Sequence, residues 1–362
     1  MTEELKRLVV GTAGHIDHGK TTLVHCLTGT DTDRLPEEQS RGMSIELGFA
    51  RLELEAHLEV DFIDVPGHER FVGTMTSGAS GIEAALLVIA VDDGVMPQTR
   101  EHLRILTLLN IRDIIVLISK CDLADDEYVE WQREAISEFL DEQKCSPAAI
   151  LPISAKTGEG LEKLRNLLKD LATKHTKNSS QELGILAVDR AFSLPGQGRV
   201  VTGTLRQGTL ALEMPLYLHS NKAKEILETK CRGLHRHGVA ESLVDGPSRV
   251  ALSVKSKKKV GLEKGDWVST TPMVLTDCLL VYITDLDEEL AIHEEIEFHC
   301  GTSMRIARPK GTGLTREQFA FLELNEPCWL IGGLRFILRQ SASHGKVIVG
   351  GGEIADARQP KF

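Results

Sequence analysis

The stretch Gly14-His15-Ile16-Asp17-His18-Gly19-Lys20-Thr21 decides the fold. It matches G-x-x-x-x-G-K-[ST], lies directly behind the apolar run Leu8-Val9-Val10-Gly11, and opens a helix-like segment over 19–27. A glycine-rich loop between a strand and a helix is a phosphate cradle. Its glycines let the backbone curl until several N–H groups face phosphate oxygens. The helix N-terminus adds the positive end of its dipole. In such a loop Lys20 reaches the β- and γ-phosphates, and the Thr21 hydroxyl takes one position on Mg²⁺.

The surrounding pattern agrees. Phe49-Ala50-Arg51-Leu52-Glu53-Leu54-Glu55 alternates with period two, as a half-buried strand does, and the run over 58–65 follows closely enough to form a hairpin with it. Continuous apolar runs over 84–91 and 114–118 fit central strands covered on both faces. Helices are expected over 98–109 and 126–143. Leu161, Leu164, Leu168 and Leu171 repeat at helical spacing after Gly160. Strands alternating with helices predict a doubly wound α/β domain with a mostly parallel sheet over 1–176. The polar stretch Lys174-His175-Thr176-Lys177-Asn178-Ser179-Ser180 is aperiodic and reads as a linker, placed at 177–182. Short strand-like runs rich in glycine follow. They predict two small β-barrels, 183–271 and 272–362, joined near Thr271-Pro272.

Val60-Asp61-Phe62-Ile63-Asp64-Val65-Pro66-Gly67-His68 places an aspartate at a strand end, then a glycine. Asp64 can hold Mg²⁺ through water, and the Gly67 N–H can contact the γ-phosphate. Two further strand ends select the base. In Ser119-Lys120-Cys121-Asp122 the carboxylate can accept both guanine N1–H and N2–H₂, a pair that adenine does not offer. In Ser154-Ala155-Lys156 the Ala155 N–H can donate to guanine O6. An ATP-dependent reading is disfavoured by these two segments.

Composition narrows the setting. Hydrophobic residues make up 41% of the 362, enough for an ordinary core, and no apolar run reaches the ~18–20 residues that cross a bilayer. The charged start, Met1-Thr2-Glu3-Glu4-Leu5-Lys6-Arg7, is not a signal peptide. Seven scattered cysteines with no Cys-x-x-Cys pair argue against a zinc site or a disulfide framework, so a cytoplasmic protein is expected. The net charge of -11 is uneven: residues 181–275 hold fourteen Lys/Arg against nine Asp/Glu, a surplus of five, leaving -16 elsewhere. One domain able to meet a polyanion is compatible with that asymmetry, as is an unevenly charged solvated surface.

With these motifs in order, the sequence resembles the translational GTPases related to elongation factor Tu. The loop from Gly14 to Thr21 with Thr22-Leu23, the Asp64-Val65-Pro66-Gly67-His68 segment, and Asp92-Asp93-Gly94-Val95-Met96-Pro97-Gln98-Thr99-Arg100-Glu101-His102 are all similar to that family. Pro97-Gln98-Thr99 reads as a helix start, with Thr99 a candidate cap. Finer features are similar to the selenocysteine-specific branch. They are Asp33-Arg34-Leu35-Pro36-Glu37-Glu38, Arg41-Gly42-Met43-Ser44-Ile45-Glu46-Leu47-Gly48-Phe49, Val188-Asp189-Arg190-Ala191-Phe192-Ser193 and Val200-Val201-Thr202-Gly203-Thr204-Leu205.

The resemblance implies a monomeric, GTP- and GDP-binding, Mg²⁺-dependent GTPase that carries selenocysteinyl-tRNA to the ribosome. In it His68 orients the attacking water, and Ser44 joins Thr21 and Asp64 at the metal. Asp189 and Arg190, with Arg232 as a third candidate, line the aminoacyl pocket. Lys255, Lys257, Lys258 and Lys259 are candidates for tRNA phosphate contact. Ser44 stands where the family usually has Thr, Ser119 where it has Asn or Thr, and Arg199 where Thr is common. The family's winged-helix repeats do not follow Phe362: either the sequence is truncated, or the mRNA-hairpin-binding part is missing or is a separate element or chain. Two rivals stay open: a general aminoacyl- or initiator-tRNA carrier, and a truncated GTP-binding module without decoding function.

Overall fold

The computed structural model describes residues 6–33, 44, 46–66, 81–175, 183–194, 198–236, 238–254, 261–342 and 345–358. The chain forms two compact units, Met1–Asn178 and Ser179–Phe362. Among the described residues no helix is long and apolar enough to cross a membrane.

The first unit contains β1 (Lys6–Ala13), α1 (Lys20–Thr28), β2 (Gly48–Glu55), β3 (Leu58–Asp64), β4 (Ala84–Ala90), α2 (Pro97–Leu108), β5 (Asp113–Ser119), α3 (Asp126–Glu142), β6 (Ala149–Pro152) and α4 (Leu161–Lys174). The six strands form one sheet in the order β2-β3-β1-β4-β5-β6. All neighbours are parallel except the β2–β3 hairpin. The expected α/β architecture is borne out. Every residue of β3 and β4 is buried, which explains their unbroken apolar or paired character. One face packs Leu8, Val10, Phe62, Leu86, Val88 and Leu117 against Leu23 and Leu27 of α1 and Leu164 and Leu168 of α4. By the two-residue alternation of a strand, Leu87, Ile89, Val116 and Ile118 point to the other face.

The strand order brings β1 between β3 and β4, so the loop after β1 opens at the point where the sheet's winding reverses. In open α/β sheets that is where ligands bind. The start of α2 departs from expectation. Met96 occupies the N-cap position without a side-chain bond, and Pro97 begins the helix. Thr99 does not cap it: its hydroxyl is buried and has no hydrogen-bond partner among the described residues. Proline presets the first-turn φ, and its missing N–H is one that a helix start leaves unpaired in any case.

The second unit begins with β7 (Ile185–Leu194), β8 (Gly198–Gln207), β9 (Thr209–Ala211), β10 (Pro215–Ser220), β11 (Glu225–Arg236), β12 (Val239–Ala240), β13 (Leu243–Asp245), β14 (Ser248–Val254) and β15 (Trp267–Ser269). The sheet runs β10-β15-β7-β8-β14-β11-β12, and β10–β11 pairing closes it into a barrel. Then come β16 (Val274–Leu286), β17 (Ile296–Cys300), β18 (Ser303–Lys310), β19 (Gln318–Leu330), β20 (Arg335–Ala342) and β21 (Gly345–Asp356). These close a second barrel in the order β16-β19-β18-β17-β20-β21. The expected pair of barrels is therefore present. Closure pairs the main strands of each barrel on both sides, which protects their edges from pairing with another chain.

Candidate nucleotide and aminoacyl sites

The phosphate loop is shaped by backbone conformations that glycine permits. Gly14 has φ +129°, and a Cβ there would lie 2.1 Å from the Val88 carbonyl oxygen of β4. The Gly14 N–H donates to His102 Nδ1 of α2 at 2.9 Å, and the Ile16 N–H reaches Gln98 Oε1 at 3.5 Å. Asp17 adopts φ +61°. His18 is buried, with Nδ1 3.2 Å from the Val88 carbonyl oxygen. Burial lowers its pKa to about 4 and that of His102 to about 3, so both rings are neutral at physiological pH.

Gly19 caps α1 at φ +87° without a side-chain bond, and the first turn holds no acidic residue. A helix end of this kind keeps its N–H groups and dipole for an anion. Lys20 lies inside the loop and donates to the carbonyl oxygens of Gly14 and His15 at 3.1 and 2.5 Å. Burial pulls its pKa down to about 8, against the opposing pull of Asp64 and Asp17.

At the end of β3 the Asp64 carboxylate gathers hydroxyls. Oδ2 accepts from Thr21 and Thr32, each at 2.8 Å, and Oδ1 accepts from Thr12 at 2.7 Å. Ser44 lies 3.0 Å from the Thr21 hydroxyl and donates to Asp33 at 2.7 Å. Thr21, Ser44 and Asp64 thus meet. Among the described residues no group of three or more His, Cys, Asp or Glu forms a metal cage. That composition still suits Mg²⁺, a hard cation that takes few protein oxygens and completes its shell with water and phosphate.

The base loops sit beside it. Ser119 donates to the His18 carbonyl oxygen at 2.7 Å, tying the end of β5 to the phosphate loop. Lys120 has φ +58°. Asp122 accepts from the Ser154 hydroxyl at 2.7 Å, and Lys156 lies 3.6 Å from its other oxygen. The Ser154 bond, with help from Lys156, holds the Asp122 carboxyl below the usual carboxylate range. Asp17, Gly19, Thr22, Ser119, Lys120, Asp122, Ala155 and Lys156 line one cleft of about 280 Å³.

Sequence reasoning missed Thr12 and Thr32 as partners of Asp64, and His102 as the acceptor for Gly14. A hydroxyl closing an otherwise apolar strand was the available signal for Thr12. Gly67, His68, Lys255 and Lys257–Lys259 lie outside the described residues, as do Arg34–Met43 and Ile45.

In the first barrel Asp189 lies on β7. Its carboxylate is held by both terminal nitrogens of Arg249 on β14 and by the Thr202 hydroxyl on β8 at 2.7 Å. Arg190 is exposed beside it. Arg232 is not brought to this group: its guanidinium forms an exposed ion pair with Glu213 at 2.7 Å. The register explains the Asp189–Arg249 pair. β14 pairs with β8 through Ala251↔Thr202, and β8 pairs with β7 through Arg190↔Thr202, which carries Arg249 across to Asp189.

Known proteins resemble this chain over much of its length. Residues 5–174 match the family described as elongation factor Tu GTP binding domain. A selenocysteine-specific elongation factor of Desulfomicrobium baculatum is 40% identical over 83% of this chain and 48% of its own length. The chain therefore spans about half of that relative. Translation initiation factor 2 subunit gamma of Thermococcus kodakarensis is 30% identical, with 94% of this chain and 95% of that protein covered. The crystal structure of a bacterial selenocysteine-specific elongation factor superposes with a TM-score of 0.88 at 28% identity, over 99% of this chain and 60% of that one. A GTP-binding domain match, two barrels and a full-length initiation-factor relative all say the same: the chain belongs to the elongation factor Tu-like family of translational GTPases.

Proposed function

We propose that this chain binds GTP with Mg²⁺, hydrolyses it to GDP and phosphate on the ribosome, and carries selenocysteinyl-tRNA in the GTP state. The observation that carries the nucleotide half is the meeting of Lys20, Thr21, Ser44 and Asp64 beside a cleft that presents Asp122. Bound GTP supplies the transferable phosphoryl group, and Mg²⁺ offsets its charge. Lys20 and the N–H groups over 14–22 stabilise charge on the phosphate oxygens. Thr21 and Ser44 offer hydroxyl oxygens to the metal, and Asp64 reaches it through water. Asp122 reads the guanine edge, Ala155 its O6, while Ser119, Lys120, Ser154 and Lys156 frame the base. His68 orients the attacking water, and Gly67 with Ser44 senses the third phosphate. Loss of those contacts after hydrolysis relaxes both segments and releases cargo.

For the cargo, the Asp189–Arg249 pair beside exposed Arg190 supports an aminoacyl pocket of Asp189 and Arg190, with Arg232 as a third candidate and Arg249 holding Asp189 in place. A selenol is largely ionised at neutral pH and serine's hydroxyl is not, so such a pocket separates the two. We place the functional divisions at 1–176, 177–182, 183–271 and 272–362. The initiation-factor relative supports a second reading, an initiator-tRNA carrier.

The test is GTP-dependent protection of the aminoacyl ester by the purified chain. Selenocysteinyl-tRNA is compared with seryl-tRNA on the same tRNA body and with charged initiator tRNA. Protection of the selenocysteinyl form alone is expected. Equal protection of both esters on one tRNA, or protection of initiator tRNA alone, would sink the selenocysteine reading.

A further inference from the structure

Thr12 lies in β1, is 1% exposed, and belongs to none of the nucleotide motifs. Its single hydroxyl makes two bonds to the end of β3. It donates to Asp64 Oδ1 at 2.7 Å and accepts the Val65 N–H at 3.0 Å. The parallel register Gly11↔Ile63 brings the two strand ends level for this. The other oxygen of Asp64 accepts from Thr21, a hydroxyl of the proposed metal site, and from Thr32. One oxygen is therefore anchored from inside the sheet while its twin is aimed at the site.

We propose that Thr12 is a positioning residue for magnesium-dependent retention of the nucleotide. It fixes the rotation of the Asp64 carboxylate and the first peptide of the segment leading to Gly67. This rests on the reading of the site as a Mg²⁺–guanine nucleotide site. A threonine is required rather than valine because the bonds leave two buried polar groups, Asp64 Oδ1 and the Val65 N–H, that a methyl group cannot serve. Leaving such groups unpaired is costly, and the carboxylate then turns toward whatever donor remains. Removing the Thr12 hydroxyl therefore acts through Asp64 and the Val65 peptide.

The experiment measures GDP release from the full chain with a fluorescent GDP while free Mg²⁺ is titrated. Thr12→Val keeps the volume and loses the hydroxyl; Thr12→Ser keeps the hydroxyl. Thr12→Val is expected to raise the Mg²⁺ concentration that half-suppresses release by about tenfold to a hundredfold, the worth of a hydrogen bond to a charged group. Thr12→Ser should stay within about threefold of wild type, since it restores both bonds. Melting of the nucleotide-free variants separates loss of folding from loss of the Mg²⁺ response. A Thr12→Val curve that superposes on wild type overturns the proposal, and so does a serine variant shifted as far as the valine one. Wild-type release that ignores Mg²⁺ and matches Asp64→Asn would instead overturn the underlying reading of the site.

Discussion

Burial strips water from the Lys20 ammonium, and Asp64 and Asp17 only partly replace it, which is why its pKa falls to about 8. A lysine so depressed binds fewer protons in the folded state than in the unfolded chain between about pH 8 and 10.5. Folding stability therefore rises as pH climbs through that window. At neutral pH the buried ammonium costs about 3 kcal/mol, from about 1.4 kcal/mol per pKa unit. Phosphate oxygens would remove that cost, so the loop is arranged for an anion. Urea unfolding of the nucleotide-free chain at a series of pH values checks this against Lys20→Met. The pH-dependent part of their stability difference, about 3 kcal/mol, should vanish by about pH 10.5. A difference that stays constant from pH 7 to 10.5 would show that Lys20 is not held in a depressed state. The motif named Lys20 from sequence, because phosphate chemistry prescribes that residue. It did not name His102 or Thr12, whose roles depend on which strand and helix pass behind the loop.

Turning β1 into α1 takes two glycines with different duties. Gly14 has a neighbouring strand against it, and a Cβ would collide with the Val88 carbonyl oxygen at 2.1 Å. Gly19 also has positive φ, but nothing lies within 4 Å of its added Cβ. Gly14→Ala is expected to cost about 3 kcal/mol or more through overpacking and strain. Gly19→Ala should cost about 1–2 kcal/mol through the left-handed backbone alone. Urea denaturation of both variants decides, and equal losses would refute the distinction. Elements of this unit were legible because their signals are local. The apolar run over 84–91 became β4 (Ala84–Ala90), and the leucines at helical spacing became α4 (Leu161–Lys174). The Arg249 partner of Asp189 was not legible for the opposite reason. Only the register across β7, β8 and β14 shows that Arg249 faces Asp189, and no short-range spacing encodes that register.

The two barrels share more than a chain connection. Trp267 of β15 is fully buried and belongs to one apolar cluster with Ile185 and Ala187 of the first barrel and Phe298, Cys300 and Phe336 of the second. Gly301, at φ +56°, leaves room for its indole, since a Cβ there would lie 2.4 Å from the ring. Polar bonds surround this contact. Asn221 donates to the Gly265 carbonyl oxygen at 2.6 Å and accepts the Trp329 N–H at 3.2 Å. Thr302 donates to the Val188 carbonyl oxygen at 2.8 Å. Glycine-rich strand patterns announced barrels, but not that Trp267 would bridge them, because its neighbours come from strands far apart in sequence. If the cluster is one core, opening it exposes both barrels together. Trp267→Ala should then destabilise by about 3–5 kcal/mol, the range for emptying a buried aromatic site. Native-state hydrogen exchange on the full chain reads the location as well as the size of the loss. Protection should fall by a similar free energy at the amides of β8 and of β19. Loss confined to β7, β8 and β15, with β16 to β21 untouched, would mean that each barrel holds its own stability and that the shared cluster is contact without coupling.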